Sequence, residues 1–252
     1  MVEKSLHGKT ALVTGAGARL GKAVAIALAG EGVNVVIHYR SSEDGAKSLC
    51  GEIEEKGARA WLVKADFESK EEYGSLIRRA AEASGGFDIL INSASIFFKN
   101  TLEDVDFDSV ARHMRVNAWV PFALSRDFSR TVKRGKIINL LDSRLIGYDW
   151  EHVAYILSKY ALSVLTRMTA LEFAPGITVN GVSPGLILPP PGKDEGYLDG
   201  LAHNLPLRRH GGPEDVAAAV IYLLKNDFLT GTVINVDGGR HLRWETDGQH
   251  TD

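Results

Sequence analysis

Asp142 lies 13 residues before Tyr155, and Tyr155 lies four before Lys159 in the run Tyr-Ile-Leu-Ser-Lys. On a helix, a spacing of four places the phenol and the ammonium on one face, a turn apart. A cation there favours the ionised phenol and makes the hydroxyl a workable proton donor near neutral pH. A carboxyl, a phenol and an ammonium together suit a reaction that delivers hydride to one atom and a proton to its neighbour. The same Tyr/Lys spacing also occurs in solvated surface pairs, so this chemistry needs support from the elements around it.

Those elements alternate along the chain. Thr10–Thr14, Val33–His38, Ala60–Lys64, Phe87–Asn92, Lys136–Leu141, Thr178–Val182 and Thr232–Val236 read as strands. The stretches between them carry helical periodicity: Leu20, Ala23, Val24, Ala27 and Leu28 recur at three and four, as do Leu157, Ala161, Val164, Leu165 and Met168. Strands as apolar as Val33-Asn34-Val35-Val36-Ile37 suit a parallel sheet covered on both faces. Right-handed crossovers then give an α/β fold, a single-domain, Rossmann-like, doubly wound sheet spanning residues 1–252. Pro189-Pro190-Pro191 reads as the stiff base of a substrate loop near 186–204, and Arg240 to Asp252 as a polar tail.

Composition narrows the partners. The 252 residues are 44% hydrophobic and 24% charged, with a net charge of −3 and no run of basic residues beyond short pairs. Nucleic acid and anionic membrane surfaces are therefore poor partners, and a small molecule is the better expectation. The one cysteine, Cys50, excludes an intrachain disulfide and a cysteine-cluster metal site. The polar start and the lack of a long apolar run lead us to expect a cytoplasmic protein.

After the first strand comes Thr14-Gly15-Ala16-Gly17-Ala18-Arg19-Leu20-Gly21. Such a strand-to-helix turn lets backbone approach a pyrophosphate that also meets a helix N-terminus, although a tight turn without a ligand would look alike. The second strand ends in His38-Tyr39-Arg40-Ser41-Ser42, without the acid that usually holds the ribose hydroxyls of NAD. Arg40 and Arg19 could instead hold a ribose phosphate through charge-assisted bonds, which favours NADP(H); the plain alternative is an arginine in solvent.

From Lys9 to about Gly239 the chain resembles the short-chain dehydrogenase/reductase family. Its marks occur in order: the glycine turn, Asp66 after the third strand, Asn92-Ser93-Ala94-Ser95 after the fourth, Asn117 in Arg-Val-Asn-Ala, Tyr155 with Lys159, Pro184-Gly185, and Asp237-Gly238-Gly239. The resemblance implies that Tyr155, Lys159 and Asn117 are catalytic. It implies a cofactor site of Gly15, Arg19, Leu20, Gly21, His38, Tyr39, Arg40, Ser41, Asp66, Phe67, Asn92, Ser93, Ala94, Ser95, Tyr155, Lys159, Pro184, Gly185 and Leu186. It also implies a homotetramer paired through the helical segments Val105–Arg130 and His152–Phe173.

Three departures resemble the pteridine reductase subgroup: Arg19 followed by His38-Tyr39 and a basic residue, Ser95 with Phe97, and Asp142 where most of the family has serine. A serine hydroxyl would donate to a developing oxyanion, whereas an ionised Asp142 would oppose it. A pterin C=N bond instead takes hydride at carbon and a proton at nitrogen, and its 2-amino-4-oxo edge offers N–H donors. Asp142 could accept those bonds or pass on the proton through water. Burial would raise its pKa and Lys159 would lower it, leaving both protonation states open.

The resemblance thus implies an NADPH-dependent reductase of dihydrobiopterin, dihydromonapterin or dihydrofolate type. Arg19, Ser95, Phe97, Asp142 and Tyr155 would form the substrate site, with no metal. The alternatives are a 3-oxoacyl-thioester or general carbonyl reductase, and a non-catalytic NADP(H)-binding regulatory protein. Tyr148-Asp149-Trp150-Glu151-His152 does not match the aromatics that the subgroup places before its catalytic tyrosine. His152 reads as a surface residue at a helix start, with local proton donation as the other possibility.

Overall fold

The computed structural model describes residues 4–146, 149–190 and 192–242. Tyr148, Pro191 and the tail from 243 onward lie outside the described residues. Seven strands, β1 Thr10–Val13, β2 Asn34–Tyr39, β3 Ala60–Lys64, β4 Ile89–Asn92, β5 Gly135–Leu140, β6 Ile177–Pro184 and β7 Val233–Val236, form one sheet in the order β3-β2-β1-β4-β5-β6-β7. Every pairing is parallel, with registers such as Leu12↔Val36, Leu12↔Leu90 and Asn92↔Asn139. The order reverses between β1 and β4, so the carboxyl ends of those strands diverge and leave a crevice.

Alternation along the strands fills two cores. Ala11 and Val13 of β1 enter one cluster with Val35, Ile37, Ile89 and Ile91, while Leu12 enters the other with Val36, Leu90, Ile137 and Val179. Helices α1 Arg19–Gly30, α2 Glu43–Glu54 and α8 Pro213–Lys225 cover the first face. Helices α3 Lys70–Ser84, α5 Val120–Thr131 and α6 Val153–Glu172 cover the second. No described helix is long and apolar enough to cross a membrane.

Two segments differ from the sequence expectation. The stretch Val105–Arg130 is not one helix: α4, Phe107–Met114, runs into a π-helical turn at Arg115–Trp119, where the Val120 N–H donates to the Arg115 carbonyl, before α5 begins. Pro121 has no N–H to donate four residues back to Asn117, so the α-helical ladder is interrupted there. The substrate loop contains a helix, α7, Glu195–Ala202, because Leu198 and Ala202 share a face and bury it. Gly196 and Gly200 mask this segment in a propensity reading.

Candidate active site

The crevice begins at the glycine turn. Thr14 Oγ1 accepts from the Ser93 and Ala94 N–H groups at 2.9 and 3.0 Å and thereby ties the ends of β1 and β4 together. Gly15 has φ +65°, and a Cβ on it would lie 2.9 Å from Ala94 Cα; one on Gly21 would lie 2.4 Å from the Gly15 carbonyl oxygen. Only glycine permits both approaches. Ala18, at the N-cap of α1, supplies no side-chain acceptor to the first-turn N–H groups. A backbone cradle closed to any Cβ and opening onto a helix N-terminus fits a dinucleotide pyrophosphate.

The residues assigned to that cradle separate into two layers. Arg19, Arg40, Ser41 and Ser95 are exposed, whereas His38, Tyr39, Phe67 and Asn92 are buried. His38 Nδ1 accepts from the Gly15 N–H and its other nitrogen meets the Ala65 carbonyl, each at 3.0 Å, so the ring is the neutral tautomer protonated at Nε2. Burial pushes its pKa down to about 4. His38 stacks on Phe67 at 4.6 Å, and with both nitrogens engaged it supports the turn from beneath. Asn92 likewise donates to Asn139, Ser125 and the Pro121 carbonyl, bracing the sheet.

At the rim, the Arg19 guanidinium donates to the Pro189 carbonyl at 2.9 Å, tying the turn to the loop after β6. Arg40 faces Glu68 at 3.6 Å, and Asp66 Oδ1 accepts from the Glu68 N–H. A Cβ on Gly185 would meet Asp237 Cα at 2.6 Å, so the turn after Pro184 packs directly on the chain beyond β7; the Leu186 carbonyl accepts from Gly211.

The chemical trio gathers where β5 ends and α6 begins. The Tyr155 hydroxyl donates to Asp142 Oδ2 at 2.9 Å. Lys159 Nζ donates to the Leu140 carbonyl at 2.8 Å and lies 5.6 Å from the centre of the Tyr155 ring. Asn100 Oδ1 accepts from the Ala154 N–H and so caps the first turn of α6 from a distant loop. Asn117 uses both ends of its amide: Oδ1 accepts from Ile96 N–H and Ser95 Oγ, and Nδ2 donates to the Ile96 carbonyl and Ser158 Oγ.

The electrostatics differ from a simple lysine-activated phenol. Burial and the Asp142 charge push the Tyr155 pKa well above its ordinary value, outweighing the arginine nearby. Burial brings Lys159 down to about 8 against the pull of Asp142. For Asp142 burial acts upward, but the charge and hydrogen bonds of Arg144 reverse it and hold the carboxyl below its usual range. Asp142 is therefore the ionised member and Tyr155 holds its proton.

Arg144, which the sequence reading passed over, is the residue that does this. Its Nε and Nη2 bond Asp142 Oδ1 and Oδ2 at 3.0 and 2.9 Å, and Nη1 bonds Asp149. Its guanidinium carbon lies 5.0 Å from the Phe97 ring centre and 5.5 Å from that of Tyr155. Phe97 is 42% exposed, meets Tyr155 edge-on at 4.6 Å and stacks on His152 at 4.0 Å. The expectation of a surface His152 is corrected: it is 8% exposed, with Nδ1 against Asp149 at 3.0 Å. The available signal was the local pattern of Asp142 followed by Arg144, then Asp149 and His152, two acids, an arginine and a histidine within eleven residues. A separate apolar groove of about 1010 Å³ between α1 and α8 contains none of these residues.

The profile of a family described as enoyl-(acyl carrier protein) reductase matches residues 15–241. A 3β-hydroxysteroid dehydrogenase from Eggerthella lenta is 37% identical, the match covering 94% of this chain and 95% of that one. A 3-oxoacyl-[acyl-carrier-protein] reductase, FabG, from Staphylococcus epidermidis is 31% identical over 93% and 99% of the two chains. The crystal structure of FolM alternative dihydrofolate reductase 1 from Brucella canis, complexed with NADP, superposes with a TM-score of 0.90 at 31% identity, covering 98% of this chain and 99% of that one. The chain belongs to the short-chain dehydrogenase/reductase family of oxidoreductases.

Proposed function

We propose that the protein is an NADPH-dependent reductase of dihydropterins. The observation that carries this reading is the Asp142 carboxylate accepting the Tyr155 hydroxyl, with Phe97 set edge-on to the same ring. An ionised Asp142 would sit against the oxyanion that forms when a ketone takes hydride, so it disfavours carbonyl reduction. A pterin ring asks for acceptors at its amino edge, an aromatic face beside it and a proton at nitrogen, which Asp142, Phe97 and Tyr155 provide.

The glycine cradle and Arg40 would hold NADP(H), and the Brucella relatives of similar fold are NADP complexes. Bound NADPH would supply hydride to a ring carbon of the C=N bond. Tyr155 gives the proton that the ring nitrogen then needs, Lys159 offsets the charge left on the phenol, and Asn117 keeps the Ser95–Ile96 segment beyond β4 against α6. Asp142 and Phe97 orient the ring, and Ser95 and Arg19 line the rim.

Exposed Leu157, Tyr160, Val164, Met168 and Leu171 make an apolar stripe along α6. This supports a homotetramer as the working assembly, which sedimentation would test. For the activity, purified protein is given NADPH with dihydrobiopterin, dihydromonapterin, dihydrofolate or acetoacetyl thioester while loss of NADPH absorbance is followed. Turnover of a dihydropterin is expected; turnover of the thioester alone overturns the reading in favour of the carbonyl reductase that the FabG and hydroxysteroid dehydrogenase relatives suggest.

A further inference from the structure

Arg144 sets its planar guanidinium in the seat where the reading above puts the substrate. Two of its N–H groups run side by side onto the two oxygens of Asp142, at 3.0 and 2.9 Å. The same group lies over the Phe97 ring at 5.0 Å and beside Tyr155. A carboxylate fork with an aromatic platform receives one kind of chemical edge: a carbon bearing two N–H groups that point the same way. A guanidinium is such an edge. So is the N–C(–NH₂) side of a 2-aminopyrimidine, where a ring N–H and the exocyclic amine diverge from one carbon.

We propose that Arg144 is an internal surrogate for the substrate, filling the Asp142–Phe97 seat in the free enzyme and giving way only to a ligand that presents a guanidine-like edge. This deepens the dihydropterin reading and rests on it for the identity of the natural ligand. Three features make the exchange workable. Asp149 holds Nη1 independently of Asp142, so Arg144 can leave the seat without becoming an unpaired buried charge. Asp149 is in turn braced by His152 Nδ1 at 3.0 Å, so its position does not depend on Asp142. Arg144 also stands in a single 3-10 turn, Ser143–Leu145, just beyond β5, and not inside a long helix whose ladder would have to break for it to shift.

The surrogate confers selectivity by exclusion. A ketone or thioester brings no paired N–H donors and would leave Asp142 ionised and without its two partners, so it cannot replace Arg144 at equal cost. A 2-aminopyrimidine edge restores both bonds as it displaces the side chain. Occupation by Arg144 lowers the apparent affinity of every ligand by the fraction of molecules with the seat open.

The probe is 2,4-diaminopyrimidine, titrated calorimetrically into the NADP⁺-saturated protein, the Arg144→Met variant and the Arg144→Lys variant, with unsubstituted pyrimidine as control. Arg144→Met is expected to bind the probe about tenfold more tightly than the wild type, with no gain for pyrimidine. Arg144→Lys keeps the charge but loses the fork, and is expected to gain affinity in the same direction, which covers the case of a Met variant that does not fold. Equal or weaker binding of the probe by the folded variants overturns the surrogate. Dihydropterin turnover by the wild type is read separately: turnover without the affinity gain sinks the surrogate and leaves the reductase, and the gain without turnover does the reverse.

Discussion

The Tyr155 hydroxyl donates to Asp142 Oδ2 over 2.9 Å, so the group placed to deliver a proton is bonded to a carboxylate that holds none. Burial, the Asp142 charge and that bond keep the phenol protonated in the free enzyme. A ligand that takes over the Asp142 oxygens competes with the phenol for Oδ2 and frees the hydroxyl to turn towards a ring nitrogen. Proton donation is thereby coupled to occupation of the seat.

Replacing Tyr155 by Phe removes the donor and leaves the ring against Phe97. The rate constant for dihydropterin reduction should fall by about 10² to 10⁴-fold, the usual range for loss of a general acid. Single-turnover kinetics with NADPH check this. A variant that retains most of the wild-type rate would remove Tyr155 from the proton path.

Asp142→Ser restores the residue type common in the family and removes the charge that opposes an oxyanion. Dihydropterin kcat/KM should fall by about 10²-fold while acetoacetyl-thioester reduction rises from its wild-type value, so the ratio of the two is the readout. Arg144 keeps Asp149, so the protein should fold. An unchanged ratio would mean that the acid does not select the substrate.

Asn117→Ala leaves the Ile96 N–H and carbonyl without their side-chain partner. Each buried group left unpaired costs about 1–3 kcal/mol, so a loss of about 3 kcal/mol in chemical denaturation is expected, together with slower turnover. Asn117→Asp keeps the acceptor for Ile96 N–H and loses the donor, and should fall between the two. Equal stability of all three proteins would contradict the bracing role.

The strands were legible because each is a short apolar run, and the central ones, β1, β2 and β4, are buried on both faces with the side chains of β1 alternating between the two cores. Tyr155, Lys159 and Asp142 were legible through their spacing, and Asn117 through the family resemblance of Arg-Val-Asn-Ala. Arg144 and Asn100 were not. An arginine in a polar turn has the composition of a solvent residue, and only the fold brings it between Asp142, Asp149 and Phe97. The resemblance places His38 in the cofactor site, and strand alternation turns its ring inward, under Gly15. The π turn escaped notice because it depends on Pro121 and on a long-range bond to Ile96, neither of which periodicity expresses.

Arg40 reaches Glu68 only at 3.6 Å and is half exposed, so its guanidinium is available to a ribose phosphate. Arg40→Ala should raise KM for NADPH about tenfold and leave that for NADH within about twofold, since one charge-assisted bond is worth on the order of 1.5–3 kcal/mol. Steady-state titration of both cofactors is the check. An equal effect on the two would place Arg40 away from the phosphate.

His38 gives the protein a built-in acid sensitivity. In the folded chain the ring accepts the Gly15 N–H on a nitrogen that protonation would block, and burial holds its pKa near 4 against about 6.5 unfolded. Between those values the unfolded chain binds a proton that the folded chain does not, so stability rises with pH across the window. The contribution is fully present above about pH 6.5 and is lost as the pH falls towards 4. At about 1.4 kcal/mol per pH unit the interval amounts to about 3 kcal/mol. His38→Gln has no titrating ring, so its stability deficit against the wild type should be constant above pH 7 and shrink as the pH falls to 4. His113, also lowered by burial, contributes equally to both proteins and cancels from the difference. Denaturant titrations at half-unit pH steps measure it, and parallel profiles for the two proteins would refute a neutral His38 beneath the glycine turn.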